Sequence, residues 1–175
     1  SASISRDGTN AYKSGFSGDG WTGYVSSDTV TAVTGALVAN TAWGTVPATP
    51  APRQKTTADI LDALDATGLA NRLVLTTKSD TGAGVSFTWD NLHSTQQDLL
   101  NTVDSVTDTK GSERVNYIRG DRTKESNQTG GYFRNRISRQ GDIVNSNIWY
   151  TGKPVSDYNL SSYRTFANNH SNRIP

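Results

Sequence analysis

The chain has 175 residues, which suffices for one domain with a buried core, although hydrophobic residues make up only 33% of it. It contains no Cys, which excludes disulfides and thiolate metal sites, and no Met, which indicates a processed form or a fragment. The formal net charge is +1, but residues 1–110 hold seven Lys/Arg against eleven Asp, whereas residues 111–175 hold ten Lys/Arg against five acids.

The N-terminal part is predicted to be irregular first and then β-rich. Residues 1–15 are rich in Ser, Gly and Asp and predict a flexible segment, followed by a single β-rich domain or domain fragment over residues 16–175. Trp, Tyr, Val and Thr predict strands over residues 21–25 and 29–38, the second interrupted at Gly35.

Two short helices are predicted in the middle of the chain. The first covers about residues 57–67, with Thr57 as its cap and Gly68 as its stop. The second covers about residues 94–104, and Ser94 with Gln97 three residues later predicts a capping box. Strands are predicted between these helices, at residues 72–77 and 85–89.

The remainder is predicted to be mainly strand and loop. Strand candidates fall at about residues 132–138, 142–145 and 148–151. Tyr163 and Phe166 are spaced for one turn of helix. No apolar run approaches the length of a membrane span, so membrane insertion is not expected.

Three sequence blocks in the second half of the chain have a distinctive order. They are Phe87-Thr88-Trp89-Asp90-Asn91-Leu92, then Tyr117-Ile118-Arg119-Gly120-Asp121-Arg122, then Phe133-Arg134-Asn135-Arg136 with Gly141-Asp142-Ile143-Val144-Asn145-Ser146. Their order and spacing resemble those of PilY/PilC-type type IV pilus tip adhesins, over about residues 16–175. The chain departs from that family at Gln140, where Leu is usual, and at Asn147, where Pro is usual.

The resemblance implies the opening segment of a modified β-propeller, mainly β with two short helices, without most of the propeller. Strand edges left open would be completed by a downstream propeller half or by other copies of the chain. The implied function is non-enzymatic adhesion at the bacterial cell surface, with minor pilins, the type IV pilus and a host-cell receptor as partners. An alternative is a self-assembling subunit of an extracellular filament. The family's calcium loop is expected further downstream, and no cofactor is expected within this chain.

The candidate binding residues are Arg119, Gly120 and Asp121, which form the integrin-recognition tripeptide. Binding would need an exposed turn that presents the guanidinium and the carboxylate at opposite ends. Tyr117 and Ile118 instead suggest that the segment enters a strand, where Asp121 would pair with a nearby arginine.

Two other charged patterns have simpler explanations. Arg134, Arg136 and Arg139 lie near aromatic residues, as in single-strand nucleic-acid sites, but their alternation also fits an exposed strand face, so nucleic acid is not expected as a partner. The acids between Asp104 and Glu113 do not have calcium-loop spacing.

An enzymatic reading rests on few residues. Asp90, His93 and Ser94 could be drawn as a dyad with a nucleophile, but a turn followed by a helix cap explains them more simply. The four tryptophans could form a sugar-binding platform, but with so few large apolar residues they are predicted to form the core.

Overall fold

The computed structural model describes residues 2–4 and 9–173, which form two compact units. The first unit consists of the described residues up to residue 62 together with residues 140–173, and the second consists of residues 63–139. The outer parts of the chain therefore build one unit and the continuous middle builds the other. Residues 10–15 of the segment predicted to be flexible lie in a strand, whereas residues 1 and 5–8 lie outside the described residues.

The described residues form short strands and helices in roughly alternating groups. The strands are β1 Ala2–Ile4, β2 Asn10–Ser17, β3 Thr22–Val30, β4 Leu37–Ala39, β5 Thr45–Val46, β6 Arg53–Gln54, β7 Leu75–Thr77, β8 Gly84–Ser86, β9 Thr102–Val103 and β10 Val106–Thr107. The helices are α1 Thr57–Asp62, α2 Ala66–Ala70, α3 Ser94–Leu100, α4 Gly111–Arg119 and α5 Ser161–Asn169. Single turns of 3₁₀ helix cover Thr41–Trp43 and Trp89–Asn91.

The prediction of a mainly β chain with two short helices is therefore only partly correct. Among the described residues, one sheet has four strands in the order β1-β2-β3-β4, and the pairs β5-β6, β7-β8 and β9-β10 form two-stranded sheets. These small antiparallel sheets do not close on one another, which is consistent with part of a larger domain. No helix in the described part of the chain has the length and apolarity needed to cross a bilayer.

The long hairpin of β2 and β3 is the main structure of the first unit. Its antiparallel register runs from Asn10 opposite Thr29 to Ser17 opposite Thr22. The strand predicted at residues 21–25 is confirmed and continues to Val30. The run at residues 29–38 is not one strand, because the chain turns through Gly35, at a φ of 67°, before β4 begins.

The outer edge of β3 is covered by other parts of the first unit. Val25 donates its N–H to Thr57 Oγ1 at 2.9 Å, and Thr57 donates in turn to Gln140 Oε1 at 2.6 Å. Thr22 forms an isolated bridge with Gly141. At Gly23 a Cβ would lie 2.5 Å from the Gly141 carbonyl oxygen, so only glycine permits this close approach.

The cap of α1 lies one residue before the predicted one. Thr56 Oγ1 accepts from the N–H of Asp59 at 3.4 Å, and Asp59 accepts from the N–H of Thr56 at 2.8 Å. This reciprocal arrangement is a capping box, and Thr57 is free to support β3 instead. The predicted helix also stops early, because Asp65 caps a separate helix, α2, and Gly68 lies inside it.

The cap of α3 is shifted in the same way. The helix begins at Ser94, as predicted, but His93 is its N-cap and Gln96 is the reciprocal partner. The His93 N–H donates to Gln96 Oε1 at 3.2 Å, and His93 Nδ1 accepts from the N–H of Thr95 at 3.4 Å. The helix ends at Leu100, and a tight hairpin of β9 and β10 follows it.

The prediction of strands in the C-terminal third is wrong. Residues 111–119 form α4, although Tyr117 and Ile118 had indicated a strand. Residues 132–138, 142–145 and 148–151 form no strand, and the only ladder contacts described there are isolated bridges such as the one between Glu125 and Phe133. The helical turn expected from Tyr163 and Phe166 is confirmed as part of α5.

Few side chains are fully buried among the described residues. The buried hydrophobic residues are Ala11, Leu92 and Val115, and the buried polar residues are Ser27 and Glu125. The tryptophans do not form a common core, because Trp21 is 64% exposed and Trp149 is 88% exposed. That prediction failed because a chain with so little buried apolar area leaves large side chains partly at the surface.

Candidate functional site

The predicted tripeptide lies at the C-terminal end of α4 in the second unit. Glu113 in the first turn and Arg119 in the last both complement the helix dipole. Gly120 ends the helix with a φ of 113°, and its N–H donates to the carbonyls of Asn116 and Tyr117. A Cβ at Gly120 would also lie 3.0 Å from a methyl group of Leu69. Both the left-handed backbone and the close contact therefore require glycine.

The guanidinium of Arg119 is bound to backbone carbonyls of the same unit. It donates to Phe87 O at 3.1 Å, Arg72 O at 3.3 Å and Ala70 O at 3.5 Å. Arg72 donates in return to the carbonyl of Arg119. Arg119 thus connects α4 with the segment after α2 and with the residue after β8, which is a structural task for this side chain.

Asp121 begins the loop that follows the helix. Its N–H donates to Asn116 O at 2.9 Å, and its carboxylate accepts from the N–H of Thr123 at 2.7 Å. The half-buried side chain lines a cavity of about 500 Å³ together with Arg119 and Arg122. The Arg and Asp of the tripeptide are therefore held at a helix end and not at the tip of a free turn. Integrin recognition by these residues remains a prediction.

A buried carboxylate, which the sequence did not reveal, organises the loop after the tripeptide. The side chain of Glu125 is 0% exposed and lies between two arginines. Glu125 Oε1 accepts from Arg136 Nε at 2.7 Å, and Oε2 accepts from Arg122 Nε at 3.1 Å. The backbone N–H of Arg136 also donates to Oε2, at 3.4 Å.

The two arginines determine the protonation of Glu125. Burial alone would raise the pKa of the carboxyl group, and it is the largest single contribution. The hydrogen bonds from Arg136 and Arg122, together with the charge of Arg122, lower it, and the pKa of Glu125 lies below its ordinary value of 4.5. The carboxylate is therefore charged at neutral pH, and the Arg–Glu–Arg cluster is held together by ion pairs.

Arg136 links this cluster to the tripeptide. Its Nη2 donates to the carbonyl of Asp121 at 2.6 Å, and its Nη1 donates to the carbonyl of Tyr117 at 2.8 Å. The guanidinium also lies over the Tyr117 ring, 3.8 Å from the centroid. Arg136, whose side chain is 10% exposed, thus fixes the backbone at Tyr117 and at Asp121, on the two sides of Arg119 and Gly120.

The arginines considered as a nucleic-acid patch do not share one exposed face. Arg136 is inside the ionic cluster, and Arg139 donates from Nε to the carbonyl of Gly120 at 2.7 Å. Arg134 is exposed. A single-strand site needs several cations along one groove, and this arrangement does not supply them.

Asp108 of the acidic stretch and His93 of the catalytic alternative also have structural roles. Asp108 makes two ion-pair contacts of 2.6 Å with Arg114, and these hydrogen bonds lower the pKa of Asp108 to about 2. His93 Nδ1 lies 3.0 Å from Thr95 Oγ1, where it serves the cap of α3. Within residues 2–4 and 9–173, no group of three or more acids and histidines is placed to hold a metal ion.

Comparison with known proteins identifies relatives along the whole chain. This chain is 31% identical to "Type IV pilus biogenesis factor PilY1" of Pseudomonas aeruginosa strain PAK, over a 194-residue alignment that covers all of the chain. The identity and the coverage are the same for the PilY1 protein of strain PAO1. The chain is a relative of the PilY1 type IV pilus biogenesis factors. A PilY1 homolog of Xylella fastidiosa is 38% identical over 71 residues, which cover 37% of this chain and 6% of that protein.

The relationship concerns a small part of the relatives. The chain spans 15% of the length of the two Pseudomonas proteins. No protein-family model matches the chain, and no solved structure matches it. The resemblance inferred from the three sequence blocks is thus confirmed at the level of the family, while the propeller remains an expectation.

Proposed function

We propose that the chain is a structural and binding segment of a type IV pilus-associated protein at the bacterial cell surface. The observation that carries this proposal is the match of the entire chain to the PilY1 factors. The proposed partners are pilus components, including minor pilins, and the remainder of a longer PilY1-like polypeptide.

The proposed role within that protein is non-enzymatic adhesion near the pilus tip. His93 and the residues beside it serve a helix cap, which supports a binding role over catalysis. The filament-subunit alternative relied on open strand edges. Thr57 and Gly141 cover the part of β3 that lies beyond β4, so this part is not available for strand addition, whereas β1 and β4 are the outer strands of the described four-stranded sheet.

The pilus association is tested in the organism that encodes the chain. The codons for residues 1–175 are deleted in frame, and surface pili are counted by electron microscopy. Gold-labelled antibodies against the chain then locate it on wild-type pili. The proposal predicts fewer pili in the deletion strain and labelling at pilus ends. Normal pilus numbers together with no labelling of pili would refute it.

The contribution of the tripeptide to adhesion is tested separately. Asp121→Ala and Asp121→Glu are compared with Asp98→Ala, which changes an exposed acid on α3. If the tripeptide binds a host receptor, both Asp121 variants reduce cell attachment and the Asp98 variant does not, because a receptor-bound cation tolerates neither the loss nor the lengthening of the carboxylate. Equal attachment by all three variants removes the motif from the adhesive surface.

A further inference from the structure

A groove in the C-terminal part of the first unit has no role in the function proposed above. This C-terminal groove is a cavity of about 490 Å³ whose main side chains are Trp149, Tyr150, Lys153, Tyr163, Phe166 and Arg173. The volume falls within the range of small-ligand sites. All of these residues lie after Gln140, in the segment 148–173.

The aromatic part of the groove combines one exposed ring with rings that contact their neighbours. Trp149 is 88% exposed, so its ring is available to a ligand. The neighbouring ring of Tyr150 is held by stacking on Tyr12, with centroids 5.9 Å apart. Across the groove, Tyr163 contacts Phe166 at 6.0 Å between centroids, and its hydroxyl accepts from the N–H of Ser156 at 2.9 Å. Leaving an indole so exposed forfeits the free energy of its burial, which a ligand can recover.

The charged part of the groove has one sign. Lys153 and Arg173 line it, and none of its described lining residues is acidic. Neither side chain forms an ion pair with any residue in the described part of the chain. The pair therefore gives the groove a positive potential that complements an anionic ligand.

We propose that the C-terminal groove binds a short acidic saccharide. The apolar C–H face of a pyranose ring packs on an exposed indole, whose face carries partial negative charge, while a carboxylate or sulfate pairs with Lys153 or Arg173. Thr151 and Ser156, which also line the groove, carry hydroxyls that can bond ring hydroxyls. This inference rests on the proposed adhesive function and gives its ligand a chemical class.

The same observations disfavour a single nucleic-acid strand. Such a strand needs cations that follow its backbone over several nucleotides. The groove supplies two cations, and Asp157 lines the neighbouring cavity beside α5. The positive region is therefore short, which fits one or two charged sugar units.

The test is titration of the full chain with 3′-sialyllactose, followed by tryptophan fluorescence and saturation-transfer NMR. Uncharged lactose and an oligonucleotide of eight thymidines are the comparison probes. We expect sialyllactose to bind and lactose to bind about tenfold more weakly, because only the first engages the cations. Trp149→Ala and the double change Lys153→Ala with Arg173→Ala should each weaken sialyllactose binding about tenfold.

Two controls separate binding from folding. Trp149→Phe keeps an aromatic face and should retain most of the affinity, and Arg164→Ala removes a cation of α5 outside the groove and should change nothing. Circular dichroism verifies that each variant is folded. Equal binding of lactose, preference for the oligonucleotide, or no binding by the folded chain would each overturn the proposal. These outcomes are independent of the pilus counts and labelling, which test the pilus association itself.

Discussion

Replacing Glu125 by Gln tests whether the Arg–Glu–Arg cluster stabilises the second unit. The change keeps the shape of the side chain and removes its charge. Arg122 is 30% exposed and can regain water, whereas Arg136 is 10% exposed and would remain as a buried charge without its counterion. Removing one partner of a buried ion pair costs about 3–5 kcal/mol, and because Arg122 is partly exposed the expected loss is about 3 kcal/mol.

Glu113→Gln is the matched control for this change. Glu113 pairs with Lys124 at 3.2 Å, and their side chains are 33% and 42% exposed. A pair so accessible to water contributes at most about 1 kcal/mol. The free energy of unfolding is measured for both variants by urea titration at neutral pH. If Glu125→Gln costs no more than Glu113→Gln, the cluster does not hold the unit together in the way argued here.

The pH dependence gives a second measurement on the same variant. Because the pKa of Glu125 is lower in the folded chain, its contribution to stability is complete above the unfolded value of about 4.5 and is lost as the pH falls through the folded value. The stability of the wild type should therefore fall more steeply with acid than that of Glu125→Gln. Parallel curves below pH 4.5 would contradict the assigned direction of the shift.

Three further predictions concern single residues. Gly120→Ala should lower the free energy of unfolding by more than the ~1 kcal/mol expected for left-handed strain alone, whereas Gly130→Ala, at a φ of 71° with open space around it, should lower it only by the strain. Urea titration compares the two variants, and equal losses of stability would contradict the role of the Leu69 contact. The pKa of Asp108 is lowered to about 2 by Arg114, so the free energy of unfolding of the Asp108→Asn variant should fall less between about pH 4 and pH 2 than that of the wild type. The same pH profile in both proteins would count against that pairing. His93→Ala should destabilise α3 by ~0.5–1 kcal/mol while His93→Asn restores its cap, as measured by thermal unfolding; equal loss in both would mean that the side chain does not cap the helix.

The elements that sequence predicted well are those whose pattern is local. The start of α3 follows from the capping residues near position 94, and the hairpin strand from Thr22 to Val25 follows from its β-forming residues. The shifts of one residue in the caps of α1 and α3 arise because neighbouring residues, Thr56 with Thr57 and His93 with Ser94, can both accept an N–H. Side-chain contacts made in the folded unit decide between them.

The elements that sequence missed depend on distant partners. Tyr117 and Ile118 are strand-forming residues, yet they lie in α4, where Val115 is buried and Tyr117 faces Arg136. Glu125 stands in a polar loop, and nothing beside it indicates burial, because the closest contact to its carboxylate comes from eleven residues downstream. The tripeptide was visible in the sequence, but the attachment of Arg119 to three carbonyls was not.

The covered edge of β3 has a consequence for the order of folding during synthesis. The segment that lies against Gly23 and bridges Thr22 begins at Gly141, whereas residues 63–139 are continuous and contain all of the second unit. A ribosome adds about 5–20 residues per second, so the roughly 120 residues between Gly23 and Gly141 take about 6–24 s to emerge. During that interval the residues of the middle unit are added, while β4 and Thr57, which precede that unit in the chain, can already contact β3. Only the part of β3 that faces Gly141 still lacks its neighbour. The stretch of β3 at Thr22 and Gly23 is therefore open to mispairing until residues 140–143 have been added.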